Sequence, residues 1–190
     1  ACIGKWHLGW EWEFLNDPSG EVYQWGAIRK VYLPEDIDWS KAIAGGPLAR
    51  GFDYYFGDGT INFPPYAWVE NDRIIEVPED QMDINNIGFD TKEGEWEFRP
   101  GPKVKGWNPY DVLPTLTGRS MEWINKQDKN QPFFLYFALP SPHAPIIPND
   151  EFDGRSQAGG YGDFMVQTDW VVGQVLKTLQ EKGLEENTIV

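Results

Sequence analysis

From Pro132 to Leu139 the chain reads Pro-Phe-Phe-Leu-Tyr-Phe-Ala-Leu, a run of strand length with no polar alternation. A strand that shows no polar face is covered on both sides, so this one predicts a central position in a parallel or mixed sheet. Helical patterns lie before and after it. Asn108-Pro109 and Asp111 are start signals for a helix running to about Gln127, with Val112, Leu113, Leu116, Trp123 and Ile124 toward the core. Asp128-Lys129-Asn130-Gln131 makes the turn into the strand. Beyond the strand, Gly159 to Gly162 lead into a second helix in which Met165, Val172, Leu176 and Leu179 fall on one stripe. Gly183 after Lys182 supplies its stop, and Thr188-Ile189-Val190 reads as the start of another buried strand. Helix, strand, helix, strand is the α/β order, with a right-handed crossover expected between the two strands.

The segment from Leu8 to Gly106 is less regular, with Pro and Gly scattered through it and short candidate strands at Gly51 to Phe56 and Arg73 to Val77. So much irregular chain belongs where it lines a site or packs against other parts of a protein. The apolar end at Thr188-Ile189-Val190 and the start at Ala-Cys-Ile-Gly lead us to expect an internal segment of a longer chain.

Charge narrows the partners. Sixteen basic residues against 30 acidic ones give a net charge of −14, with no Lys/Arg block, which excludes a nucleic-acid binder relying on phosphate neutralisation. No stretch approaches the roughly 18 apolar residues of a membrane span. Any anionic ligand must therefore be met by a few local cations. The single cysteine, Cys2, has no internal disulfide partner, and no Cys/His metal cluster is spelled out. Ten Trp, 11 Phe and 8 Tyr suit an aromatic surface that grips sugars, and equally a core; Trp10, Trp12 and Trp68 are the candidate sugar platforms.

Only two histidines occur. His143 follows the apolar strand directly, in Pro140-Ser141-Pro142-His143-Ala144-Pro145, and in open α/β sheets ligands gather at the carboxyl ends of strands. His7 lies in Gly4-Lys5-Trp6-His7-Leu8-Gly9. If this segment is extended, alternation sends Lys5 and His7 to one side and Trp6 to the other, making an ammonium and imidazole pair suited to an anion. A P-loop is excluded, because Trp6 follows Lys5 where Ser or Thr should stand. Gly57-Asp58-Gly59 and Gly159-Gly160 read as turns, and Asp163 and Asp169 receive no metal role, Asp163 being explained by the dipole of its helix.

Gly-Lys-Trp-His-Leu-Gly at 4–9 resembles the second signature of the type I sulfatases, which share the alkaline-phosphatase-like α/β fold. The similarity continues through Gly51 to Gly57, Pro64-Pro65-Tyr66, Glu70 to Arg73, Pro132 to Pro145 and Gly160 to Asp163. The resemblance implies an alkaline-phosphatase-like sandwich, a central mixed or parallel sheet flanked by helices, of which residues 1–190 form the central part of a single catalytic domain truncated at both ends. It implies a sulfuric ester hydrolase acting on a sulfated small molecule or carbohydrate through a formylglycine nucleophile. In such an enzyme Lys5 would bind a sulfate oxygen, His7 would hydrogen-bond the hydrated aldehyde and help expel sulfate, and His143 would hold another oxygen and assist the alcohol's departure. A calcium or magnesium ion is implied as well, and export or a lysosomal location.

Cys2 departs from that family's nucleophile motif, since Ile-Gly-Lys follows it rather than the expected Pro-Ser-Arg context. No metal ligand is assigned within these residues, and the segment alone is expected to be inactive. A phosphodiesterase or phosphonate hydrolase of the same superfamily, or a non-catalytic carbohydrate-binding module, are the alternatives.

Overall fold

The computed structural model describes residues 1–190. Its strands are, in chain order, β1 (Cys2–Lys5), β2 (Gly20–Gln24), β3 (Ala27–Val31), β4 (Tyr55–Gly59), β5 (Val69–Glu70), β6 (Arg73–Ile74), β7 (Asp80–Gln81), β8 (Pro102–Lys103) and β9 (Tyr136–Ala138). The long helices are α1 (Val112–Lys126) and α2 (Gly159–Glu181). Five strands form the main sheet in the order β6-β5-β4-β1-β9. β1 runs parallel to both β4 and β9, while β5 and β6 add an antiparallel edge. The sheet is mixed, as the α/β reading expects. No helix is long and apolar enough to cross a membrane.

Alternation along two neighbouring strands decides the layering. Ile3 and Phe56 face one side, where they join Val112, Leu113 and Leu116 of α1 and Phe164 and Val171 of α2 in the largest buried cluster. Cys2 and Tyr55 face the other side and pack with Trp6, Ile43 and Val69. Helices therefore cover one face, and the irregular chain between β1 and β4 covers the other. That chain is irregular because it lies over a sheet face with Trp, Pro and Gly contacts instead of pairing into it.

α1 forms as its sequence predicts. The Asn108 side chain accepts a hydrogen bond from the Tyr110 amide, Pro109 starts a short 3₁₀ turn, and Val112, Leu113, Leu116 and Ile124 are buried. α2 ends at the predicted place. Gly183 takes φ +68, and the Leu184 amide donates back to Leu179 at 2.9 Å while both leucines pack on Ile124.

Four expectations are corrected. The apolar run at 132–139 gives a strand only over Tyr136–Ala138, and this strand is an edge of the sheet, not its centre. Its two-faced apolarity is real: Phe133, Leu135 and Phe137 pack toward the helices, while Phe134 and Tyr136 stack on Phe52 across the other face and remain exposed. Thr188 to Val190 form no strand. A 3₁₀ turn at Glu185–Asn187 precedes them, Ile189 and Val190 are fully or largely exposed, and no crossover closes there, since β propensity needs a neighbouring strand to satisfy it.

In α2, Phe164, Gln167, Val171, Thr178 and Leu179 face inward, whereas Met165, Val172 and Leu176 of the predicted stripe are exposed. The helix carries two apolar stripes, and packing against α1 selects the one led by Phe164. The candidate strands at 51–56 and 73–77 shift to Tyr55–Gly59 and Arg73–Ile74, so Gly57-Asp58-Gly59 ends a strand and is not a turn.

One element was not foreseen. β2 and β3 form a hairpin whose two-residue turn, Trp25-Gly26, has positive φ at both positions. Such turns normally carry Asn, Asp or Gly first, and Trp25 hides the signal.

Candidate active site

Because β1, β4 and β9 are mutually parallel, their carboxyl ends open at one edge of the sheet. Lys5 closes β1 opposite Gly59 of β4, and Gly4 stands opposite Ala138 of β9. The Trp6 amide donates to the Gly59 carbonyl at 2.7 Å, and the Tyr55 hydroxyl donates to the Gly4 carbonyl at 2.9 Å. These bonds fix an extended path through the segment. Trp6 is buried against Cys2 and Tyr55, while Lys5 is half-buried and His7 exposed. Lys5 and His7 line a hollow of about 260 Å³ with Trp6, Leu8, Tyr136, Ala138 and Leu139.

His143 comes to the same edge from the loop after β9. Its Nδ1 lies 2.6 Å from the Ala144 carbonyl oxygen, which can only accept, so Nδ1 carries the proton and Nε2 is the free nitrogen. His143 does not line the hollow of Lys5 and His7. It is near enough to act on it: partial desolvation first, then the nearby Lys5, His143 and Arg99, hold the His7 imidazole below its ordinary pKa. His7 also meets the Phe63 ring edge-on at 5.4 Å. The Arg99 guanidinium lies over that same ring at 4.2 Å.

Asp58, which the sequence reading set aside, belongs to this edge. It is 4% exposed, neither carboxylate oxygen has a hydrogen-bond partner, and burial pushes it up to about 6. The Lys5 charge pulls it back. Asp58 lines a second, smaller cavity of about 140 Å³ with His7, Trp10, Trp12, Thr60 and Phe63. The one legible signal was an acid between two glycines at the end of an aromatic run. Two of the candidate sugar platforms, Trp10 and Trp12, line this cavity; Trp68 instead stacks on Phe56 and lies tilted against Trp107, packed on the core.

An ionised Asp58 weighs against folding. With a folded pKa above the carboxylate's ordinary 3.8, its contribution to stability is fully present below pH 3.8 and is lost as pH rises through about 6. Asp58→Asn keeps the shape and removes the charge. The variant is expected to be more stable than the parent by about 3 kcal/mol at pH 8, at 1.4 kcal/mol per pH unit, with the difference shrinking toward pH 4. Urea unfolding at both pH values measures it.

Elsewhere, two acids and one thiol have structural explanations. Asp163 is buried and accepts from the Gly154 and Ser156 amides at 2.9 and 2.6 Å, so it ties down the preceding loop and does more than answer a helix dipole. Asp169 lies within α2 and joins no metal-binding group. Cys2 is buried, and its thiol is pushed up to about 11, which leaves it without thiolate character. No three His, Cys, Asp or Glu side chains come together to hold a metal ion, so the implied calcium or magnesium has no fitting ligand set in this chain.

Comparison with known proteins adds a lineage to this geometry. An N-acetylgalactosamine-6-O-sulfatase of Bacteroides thetaiotaomicron is 26% identical over 221 residues, covering 100% of this chain and 38% of that protein. The human N-acetylgalactosamine-6-sulfatase is 30% identical over 144 residues, covering 76% of this chain and 26% of that protein. A solved structure from work on glycosaminoglycan metabolism by Bacteroides thetaiotaomicron superposes with a TM-score of 0.71 at 24% identity, over 98% of this chain and 40% of that one. The mixed sheet with flanking helices is thus part of an alkaline-phosphatase-like fold, and the chain spans well under half the length of these relatives. Since the sulfatase family model runs through residues 1–190 without leaving any part of the chain outside it, this chain belongs to the sulfatase family.

Proposed function

We propose that the protein containing this chain is a sulfuric ester hydrolase that removes sulfate from a sulfated carbohydrate, and that Lys5, His7 and His143 are its anion-binding and proton-handling residues. One observation carries the reading: Lys5 and His7 share a hollow at the carboxyl ends of parallel strands, and His143, from the loop after the distant β9, lies close enough to bear on the His7 imidazole, in a chain of sulfatase lineage. The names of the relatives make a 6-sulfated N-acetylgalactosamine the first substrate to try.

Water and the ester give an alcohol and hydrogen sulfate, and negative charge grows on the sulfuryl and leaving oxygens in the transition state. Fixed positive groups aimed at those oxygens lower the barrier without reorganising at the moment of reaction. Lys5 supplies a point charge to one sulfuryl oxygen. His7, kept neutral by its surroundings, accepts a proton from the nucleophile's side of the reaction. His143, with Nδ1 bonded to Ala144, presents Nε2 to the leaving oxygen and, once protonated, donates to the departing alcohol. The nucleophile, a formylglycine in this reading, and the metal are supplied by residues other than these 190.

The test is release of inorganic sulfate from N-acetylgalactosamine 6-sulfate by the full-length protein, beside residues 1–190 alone. The full-length protein is expected to turn over and the segment to release none. Hydrolysis of a phosphodiester without sulfate release supports the phosphoryl-transfer alternative instead. Sugar binding without turnover that survives Lys5→Ala and His143→Ala together supports a carbohydrate-binding module.

A further inference from the structure

Beside the candidate active site runs a groove of about 300 Å³ whose charge contradicts the molecule around it. The chain carries −14, yet Arg29, Lys30 and Arg99 line this groove with no acidic residue among its walls. Lys30 is engaged by Glu21 at 2.6 Å. The two arginines have no carboxylate within salt-bridge distance. Both lie 4.9 Å from the ring of Trp25 at the hairpin tip, so two like charges are gathered on one indole. Arg99 Nε is buried and has no hydrogen-bond partner. Like charges held together with an unused donor describe a site completed by an anion.

The groove is built and continuous with the active-site edge. Gln24 of β2 donates to the Phe98 carbonyl at 3.1 Å, which ties the hairpin bearing Arg29 to the segment bearing Arg99. Trp12, Pro64 and Pro65 line both this groove and the small cavity of His7 and Asp58, and Phe63 touches His7 on one side and Arg99 on another. Phe14 and Tyr32, stacked at 4.3 Å, give it an aromatic wall. Its volume is that of a small-ligand site.

We propose that Arg29 and Arg99 bind a second anionic group of the same saccharide, a carboxylate or a sulfate on a neighbouring sugar, while the ester to be cleaved lies at Lys5 and His7. The proposal rests on the sulfatase reading for the second half of that statement and on the groove alone for the first. A guanidinium offers paired N–H donors that fit either oxyanion, so the structure assigns the shared chemistry, a planar or tetrahedral oxyanion on a saccharide. The protein therefore selects polyanionic oligosaccharides over singly charged ones.

The experiment uses the full-length protein, the variants Arg29→Gln and Arg99→Gln, and disaccharides that share one 6-sulfated sugar but carry a neutral, a uronate or a second sulfated neighbour. The parent is expected to show a lower KM for one of the anionic neighbours than for the neutral one, and the better of the two identifies the source. Each variant raises KM for that substrate about ten- to a hundredfold, the loss of one charge-assisted hydrogen bond; Arg29→Gln does so with kcat retained, whereas Arg99→Gln also removes one of the groups that lower the His7 pKa and shifts the pH profile. Calorimetry with a uronate disaccharide and with a disaccharide sulfated only on the neighbouring sugar, both lacking the cleavable ester, reads the groove without any turnover. Binding of either by the parent that weakens in both variants upholds the groove even if no ester is hydrolysed, in which case the sulfatase reading fails alone. Parent affinities that ignore the neighbour's charge, or variants that bind these disaccharides as the parent does, overturn the proposal. Arg29 is exposed, so its variant keeps the comparison decisive if Arg99→Gln disturbs folding.

Discussion

Lys5→Ala in the full-length protein is expected to lower kcat for a sulfate ester about 10²- to 10³-fold, the usual cost of removing one preorganised group from a developing oxyanion. The fold should survive. Lys5 is half-buried at the last position of β1, its strand bonds are made by the backbone, and it forms no salt bridge whose partner would be stranded. Two neighbouring titrations feel the loss: His7 loses one of the charges that lower it, and Asp58 loses the charge that opposes its burial. The Asp58 titration moves further up, which an infrared or NMR titration of the carboxyl can follow. His7→Ala is expected to act on the same step with a pH signature. Since desolvation and the nearby Lys5, His143 and Arg99 hold His7 below histidine's ordinary 6.5, the acid limb of kcat/KM lies below that value and vanishes in the variant. Steady-state kinetics from pH 5 to 8, with unfolding curves as controls, measures both effects.

Gly4→Ala is expected to be the most damaging single substitution in the sheet, at about 3 kcal/mol or more. Gly4 has φ +110, a conformation that strains any residue bearing a Cβ. A Cβ there would also collide with the carbonyl of Ala138, which is backbone and cannot rotate away. The clash falls on the pairing of β1 with β9, and that pairing is what brings the His143 loop beside Lys5. Stability and activity should therefore fall together, in contrast with Lys5→Ala. Chemical denaturation read against kcat separates the two cases.

Much of this architecture is written locally. Asn108-Pro109, the apolar spacing of α1 and Gly183 each act through neighbours a few residues away, and each appears where the sequence implies it. Lys5 and His7 do line one hollow, but consecutive residues 5 to 8 all border it, so period-two alternation is not what gathers them. What the sequence hid depends on distant partners. The face that α2 buries was decided by α1, not by its own two apolar stripes. Asp58 becomes unusual only because β1, β4 and an aromatic lid exclude water from it. Arg99 is one cation among sixteen until the hairpin at residues 20–31 brings Arg29 against the same indole. The apolar strand was recognised as a strand, but its place at the sheet edge is a property of pairing, which a single segment does not encode.

The central claim is that Lys5, His7 and His143 cradle one tetrahedral anion. A crystal structure of the full-length protein grown with inorganic sulfate tests it most directly. The account predicts a single ordered sulfate within hydrogen-bond reach of Lys5 Nζ, the His7 ring and His143 Nε2. A sulfate bound by Lys5 while His143 is turned to solvent, or no sulfate at this edge at saturating concentration, contradicts it.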